Sequence, residues 1–316
     1  MELNKKSKIF IAGHNGMVGS SILNLFKKKK YKNIFTRDRK SLDLLDQKKT
    51  IKYFKKIKPK YVIIAAAKAG GILANNNFKA DFIYQNLMIQ NNIIHASFLV
   101  GVKKLIFLGS SCIYPKYSKQ PIKEEYLLSG KLEPTNDAYA IAKIAGIKMC
   151  EAYNKQHNLN YICLMPTNLY GPNDNYDLKT SHFYPALISK IYKAKKNNKK
   201  DLIIWGDGKP KRELMYVDDL ASACEFFLKN KTKHTLINIG SGEEKSIKEY
   251  ANFIMKKLKI KLKIKFDKSK PSGTIRKILN TKLAKSYGWY SKVNLDKGFD
   301  LTFKDFKKNK FNKLNI

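Results

Sequence analysis

The chain has 316 residues, 43% of them apolar, with only 17 Gly and 9 Pro; this balance excludes a disordered protein and can bury a large core. Its formal charge of +38 raises nucleic-acid binding, but only four of the 63 basic residues are Arg (Arg37, Arg39, Arg212 and Arg276), and Arg is the residue that forks onto bases and phosphates. Lys spread along the whole length describes a solvated surface, so nucleic acid is not an expected partner.

No apolar run reaches the roughly 18 to 20 residues of a membrane helix, so the chain reads as cytoplasmic with no membrane partner. The four cysteines, Cys112, Cys150, Cys163 and Cys224, show neither a C-x-x-C pair nor metal-ligand spacing, and the five histidines are scattered. Neither a disulfide framework nor a bound metal is expected.

The opening reads strand, tight turn, helix: an apolar run at 8–12, then Gly13-x-x-Gly16-x-x-Gly19, then helical spacing over 20–26. Glycines at such a turn let the backbone approach a pyrophosphate, whose charge is favoured at a helix N-terminus. Strands follow at 33–36, 61–66, 104–108 and 161–165, separated by helical stretches at 44–57, 80–100 and 138–158. This alternation predicts an α/β fold with a Rossmann-like, doubly wound parallel sheet and ligands at the carboxyl ends of its strands. The segments 65–71 and 109–112 both fall at such ends.

After Pro166 the rhythm breaks. A strand at 201–205 with a Gly206-Asp-Gly208 turn precedes a return to the sheet at 236–239, and Ser246 with Glu249 forms a capping box before a helix at 247–258. The expected division is a dinucleotide-binding domain of residues 1–170 with 214–240, and a smaller, discontinuous α/β domain of 171–213 with 241–316. The Lys-rich end, 304–313, reads as frayed and solvated.

The ordered set Gly13-x-x-Gly16-x-x-Gly19, Ser110-Ser-Cys-Ile-Tyr-Pro115, Tyr139-x-x-x-Lys143, Pro166-Thr-Asn-Leu-Tyr-Gly-Pro172 and Lys270-Pro-Ser-Gly-Thr-Ile-Arg-Lys277 resembles the GDP-L-fucose synthases, which are extended short-chain dehydrogenase/reductases. The resemblance runs from about residue 8 to 290 and includes 65–72, 80–96 and Glu133-Pro-Thr-Asn136. It implies C3,C5 epimerisation of GDP-4-keto-6-deoxy-D-mannose followed by NADPH-dependent reduction at C4, in a homodimer joined through the helices at 80–100 and 138–158. A reductase for another GDP-4-keto sugar, such as a 6-deoxyheptose, is the near alternative. A sugar 4,6-dehydratase would carry Asp-Glu where this chain has Ser111-Cys112, and a cofactor-sensing regulator would not need the Ser, Tyr and Lys.

The chemistry also follows from the residues. Tyr139 and Lys143 lie one helical turn apart on one face. A nearby ammonium is expected to lower the Tyr pKa, suiting a group that gives a proton to a developing alkoxide. Ser110 would hydrogen-bond the same ketone oxygen. Inverting a carbon beside a ketone needs a base on one face and an acid on the other; Cys112 fits the base, and the resemblance supplies His182 as the acid.

For the cofactor, Asp38 stands at the distance from the glycines that suits a ribose 2′-hydroxyl, the NAD pattern, whereas Arg37 and Arg39 suit a 2′-phosphate. The resemblance favours NADPH, with cofactor contacts at Gly13, Asn15, Gly16, Met17, Val18, Gly19, Arg37, Arg39, Ala66 and Lys143, the last on the nicotinamide ribose. Asn15 departs from an Arg that a familiar member carries there. For the GDP-sugar, Asn168, Lys190, Trp205, Arg212 and Lys277 match contact positions; Lys190 replaces an Arg and Ser272 an Asp.

Overall fold

The computed structural model describes residues 2–178, 180–269 and 274–312, with side chains to 308. Ser272 and Lys313 lie outside the described residues.

The first half alternates β1 (Ile9–Ala12), α1 (Met17–Lys28), β2 (Ile34–Phe35), α2 (Gln47–Ile57), β3 (Tyr61–Ile64), α3 (Ile72–Asn77), α4 (Lys79–Leu99), β4 (Lys104–Leu108), α5 (Asp137–His157) and β5 (Tyr161–Pro166). Together with β9 (Leu236–Ile239) these strands form one parallel sheet in the order β2-β1-β3-β4-β5-β9. Side chains alternate across it as the two-residue pleat requires. Ile9, Ile11, Ile63 and Ile106 join α1 and the later helix α7 (Val217–Lys229) in one core, whereas Phe10, Ile64 and Phe107 join α2, α4 and α5 in the other. Both faces are covered, so β1, β3 and β5 are continuous buried apolar runs rather than alternating ones.

The strand order reverses between β1 and β3, since β2 lies on one side of β1 and β3 on the other. A crevice at the carboxyl ends of strands follows from that reversal. Local chemistry sets the helix limits: α2 starts at Gln47, later than the apolar pattern from 44, because the Asp46 side chain accepts from the Lys49 N–H and caps it.

The second half contributes β6 (Asn168–Tyr170), α6 (Phe183–Lys196), β7 (Asp201–Trp205), β8 (Lys211–Tyr216), β10 (Glu244–Ser246), α8 (Ile247–Lys257), β11 (Lys263–Asp267), β12 (Arg276–Lys277), α9 (Lys282–Ser286) and α10 (Leu295–Asn312). Strand β8 pairs with β6, β10 and β12, while β7 pairs with β11. The capping box at Ser246 and Glu249 is present. A third core forms from Tyr184, Ile188, Leu202, Tyr250 and Ile254.

The Lys-rich end corrects the expectation of a frayed tail over its described part. Phe306 is 4% exposed and packs on Tyr176 and Tyr192, and Thr302 bonds the Gly298 carbonyl, so burial of one face holds α10 in place. Lysines on the other face masked that stripe. No helix among the described residues is long and apolar enough to cross a membrane.

Candidate active site

The glycine turn joins β1 to α1 with no spare room at Gly13 and Gly19. Gly13 has φ +82°, and a Cβ there would lie 2.6 Å from the Ala66 nitrogen; one at Gly19 would lie 2.1 Å from the Gly13 carbonyl oxygen. A Cβ on Gly16 would meet nothing closer than 3.6 Å. Gly16 is the N-cap of α1, and no side chain caps the helix. The uncapped N–H groups of α1, led by Met17 and Val18, therefore fit a pyrophosphate, with Asn15 exposed in the turn and Ala66 in the loop after β3.

Beyond β2, the Asp38 carboxylate accepts from the Ser41 N–H at 2.8 Å and the Ser41 hydroxyl at 2.6 Å. These bonds, with lesser help from His14 and Arg37, hold its pKa below the usual range. Arg37 lies 5.0 Å from the centre of the Tyr53 ring, and Arg39 lies 3.8 Å from Asp43. Asp38 is thus satisfied within its own turn, and two guanidiniums flank it.

At the end of β4 the chain turns through Gly109 into Ser110, which caps a short 3-10 turn at Ser111–Ile113 by accepting the Cys112 N–H at 3.3 Å. Opposite, α5 presents Tyr139 and Lys143. Lys143 is 3% exposed and donates to the Leu108 carbonyl at 2.8 Å; burial pushes its pKa down to about 8. Its Nζ lies 5.8 Å from the centre of the Tyr139 ring.

The expected depression of the Tyr139 pKa by Lys143 is not found. Burial first, and then the charge of Cys112, raise it well above the usual phenol range, and the bond to Ser110 offsets this only in part. The ammonium is turned to Leu108, so the tyrosine keeps its proton. A phenol in that state can still donate to an alkoxide.

Cys112 is half-buried, unlike the fully buried Cys150, Cys163 and Cys224. Two nitrogens reach its sulfur: Asn136 Nδ2 and Lys277 Nζ, each at 3.4 Å. Burial works against the thiolate, but the Lys277 charge, hydrogen bonds from Ser110 and Lys277, and the Arg212 charge outweigh it and hold the thiol below its usual value. His182 sits at the N-cap of α6 and is exposed. Protein packed around the ring, and then the Lys277 charge, lower its pKa. The Lys277 charge thus acts on both groups, favouring the thiolate and opposing the imidazolium.

Lys277 arrives by strand register. Parallel pairing of β12 with β8 sets Lys277 beside Arg212. Arg212 is fixed by the carbonyls of Lys211 and Thr274, while Arg276 forks onto Glu244 at 2.7 and 2.8 Å and locks β12 to β10. Asn168 donates to the Glu213 carbonyl at 3.1 Å. Lys190 and Trp205 form a separate pair, with Nζ 5.1 Å from the indole centre, and Trp205 is 40% exposed rather than in the core.

Two residues escaped the sequence reading as individuals. Asn136 was visible only within the Glu133-Pro-Thr-Asn136 motif, and its bond to Cys112 depends on how α5 starts. Glu213 is fully buried and accepts from the Gly242 and Leu279 N–H groups at 2.7 and 2.9 Å, tying β8 to the loop after β9 and to the segment after β12. No motif announces a carboxylate whose partners are main-chain groups.

The model of the NAD dependent epimerase/dehydratase family matches residues 9–240. The GDP-L-fucose synthase of Sinorhizobium fredii is 50% identical over 309 residues, 98% of each chain. The chain belongs to this epimerase/dehydratase family, in its GDP-L-fucose synthase group. The Escherichia coli GDP-L-fucose synthase is 47% identical over 314 residues, covering 96% of this chain and 98% of that one. Among solved structures, MlghC, a GDP-mannoheptose C4 reductase from Campylobacter jejuni with NADP bound, superposes with a TM-score of 0.89 at 39% identity, over 96% of this chain and 99% of that one.

Proposed function

We propose that this protein inverts C3 and C5 of GDP-4-keto-6-deoxy-D-mannose and then reduces C4 with NADPH, giving GDP-L-fucose. The observation that carries the reading is the activated thiol: Lys277 Nζ lies 3.4 Å from Cys112 Sγ, within the same site as Ser110, Tyr139 and Lys143. A plain reductase needs the last three alone.

NADPH supplies the hydride when bound. Gly13, Gly16 and Gly19 let its pyrophosphate approach α1, with Asn15, Met17, Val18 and Ala66 around it, Arg37 and Arg39 at the 2′-phosphate, and Lys143 at the nicotinamide ribose. Cys112 removes the proton beside the ketone and His182 returns one to the opposite face. Ser110 and Tyr139 hold the ketone oxygen while it carries negative charge. Tyr139 then gives its proton to the C4 alkoxide as the hydride arrives. Asn168, Lys190, Trp205, Arg212 and Lys277 hold the GDP-sugar, with the Arg212 guanidinium suited to its diphosphate.

This reading divides the molecule into a cofactor domain of 1–170 with 214–240 and a sugar-nucleotide domain of 171–213 with 241–316. It also makes the enzyme a cytoplasmic homodimer. Support for the dimer is the paired α4 and α5, which expose Tyr84 (60%), Leu99 (46%) and Ile141 (46%); light scattering tests it.

The deciding experiment is product mass after incubation with GDP-4-keto-6-deoxy-D-mannose and NADPH in D₂O. Two non-exchangeable deuterons on the reduced sugar are expected. A reduced sugar without them favours the second reading, C4 reduction of another GDP-4-keto sugar, for which MlghC is the structural precedent.

A further inference from the structure

One thiol that deprotonates two carbons in turn has to shed its proton between the two events. The two nitrogens on Cys112 cannot take it. An ammonium has no lone pair, and Lys277 Nζ and Asn136 Nδ2 both donate towards the sulfur.

Beside Cys112 lies a cavity of about 40 Å³, lined by Cys112, Lys116, Gln120, Glu133, Asn136 and Lys277 among others. A water needs about 10 to 15 Å³ on this measure, so the cavity holds about three or four. Its polar groups suit such a chain. Asn136 Oδ1 is buried with no hydrogen-bond partner in the protein. Glu133, whose side chain is 18% exposed, sits between this interior and the surface and pairs with Lys116 at 3.1 Å.

We propose that the cavity is the proton exit of the epimerase, with Glu133 as the relay that returns Cys112 to its thiolate between the first inversion and the second. The Cys112 S–H bond breaks and its proton moves onto a cavity water held by Asn136 Oδ1. That water passes a proton to the Glu133 carboxylate, and Glu133 releases it to solvent. No electrons change hands, and His182, which is exposed, takes back from solvent the proton it gave. Glu133 acts on Cys112 and not on the sugar, so it is a positioning and relay group. The inference rests on Cys112 being the base, as proposed above.

The test is rapid-quench exchange in D₂O with the full-length enzyme, NADP⁺ and GDP-4-keto-6-deoxy-D-mannose, counting deuterons per sugar by mass. In Glu133→Gln the first deuteron enters at the wild-type rate and the second at least tenfold more slowly. Lys116→Gln, which breaks the same ion pair but keeps the carboxylate, retains the wild-type ratio of the two rates. Equal slowing of both deuterons in Glu133→Gln, or identical behaviour of the two variants, assigns Glu133 a purely structural role and overturns the proposal. So does an unchanged ratio in Glu133→Gln. Cys112→Ser separates the underlying reading: exchange at both carbons at wild-type rates removes the thiol as base, whatever Glu133 does.

Discussion

Lys277 lies 165 residues beyond Cys112 in sequence, yet its Nζ stands 3.4 Å from the Cys112 sulfur. The arrangement couples a short strand late in the chain to the acidity of a thiol at the end of β4. An opposite charge at such a distance lowers a pKa by about 1 to 3 units where burial does not cancel it.

Replacing Lys277 by Met therefore raises the pH at which the thiolate forms. The sign follows from the ionised form: the cation stabilises S⁻, so its loss favours S–H. Iodoacetamide labelling of Cys112 against pH, with no substrate present, should show the half-reaction point moving up by about one unit. An unmoved profile would assign the low thiol pKa to Ser110 instead.

Tyr139→Phe removes the proton given to the C4 alkoxide and leaves Cys112 and His182 in place. Reduction should fall by about 10² to 10⁴, while deuterium entry at C3 and C5 continues because Ser110 still holds the ketone oxygen. Measuring hydride transfer and exchange on one sample separates the two steps. Equal loss of both would mean that Tyr139 is needed for enolisation too.

Glu225 anchors α7 to the strand-side core: its side chain is 5% exposed, accepts from Tyr31 at 3.0 Å and pairs with Lys29 and Lys229. Burial opposes its charge, but the two lysines prevail and depress its pKa. A depressed carboxylate contributes stability above its unfolded pKa and loses it as pH falls through the folded value. Glu225→Gln should cost about 1 to 3 kcal/mol at pH 7 in denaturant melts, with the gap to wild type closing as the pH drops below 4. A gap that persists at pH 3 would point to packing rather than charge.

Phe306→Ala tests the correction at the end of the chain. The ring is buried among Tyr176, Tyr192 and Phe303, so truncation should cost about 3 to 5 kcal/mol. Thermal melts and hydrogen exchange in α10 report it. A loss under 1 kcal/mol would return α10 to the status of a loose end.

Much of the fold could be read from residues because its determinants are local. The buried runs at Ile9–Ala12 and Tyr61–Ile64, the glycine turn and the Ser246 cap each declare themselves within a few positions. The proximity of Cys112 and His182 to a common cation could not be read that way, since it depends on the pairing of β12 with β8. Tyr139 shows the same limit: spacing put Lys143 one turn away, but only the fold shows that the ammonium is spent on the Leu108 carbonyl. The lysines that dress the outer face of α10 hid Phe299 and Phe306 beneath them.

The pairing of β12 with β8 also bears on how the protein is made. A chain that has left the ribosome as far as Ile239 already owns all six strands of the parallel sheet. It has the glycine turn, Ser110, Tyr139 and Lys143, yet it lacks Lys277. The largest charge favouring the Cys112 thiolate therefore arrives only when β12 pairs with β8. Of the groups around that sulfur, the one that most favours its charge is the last to be made.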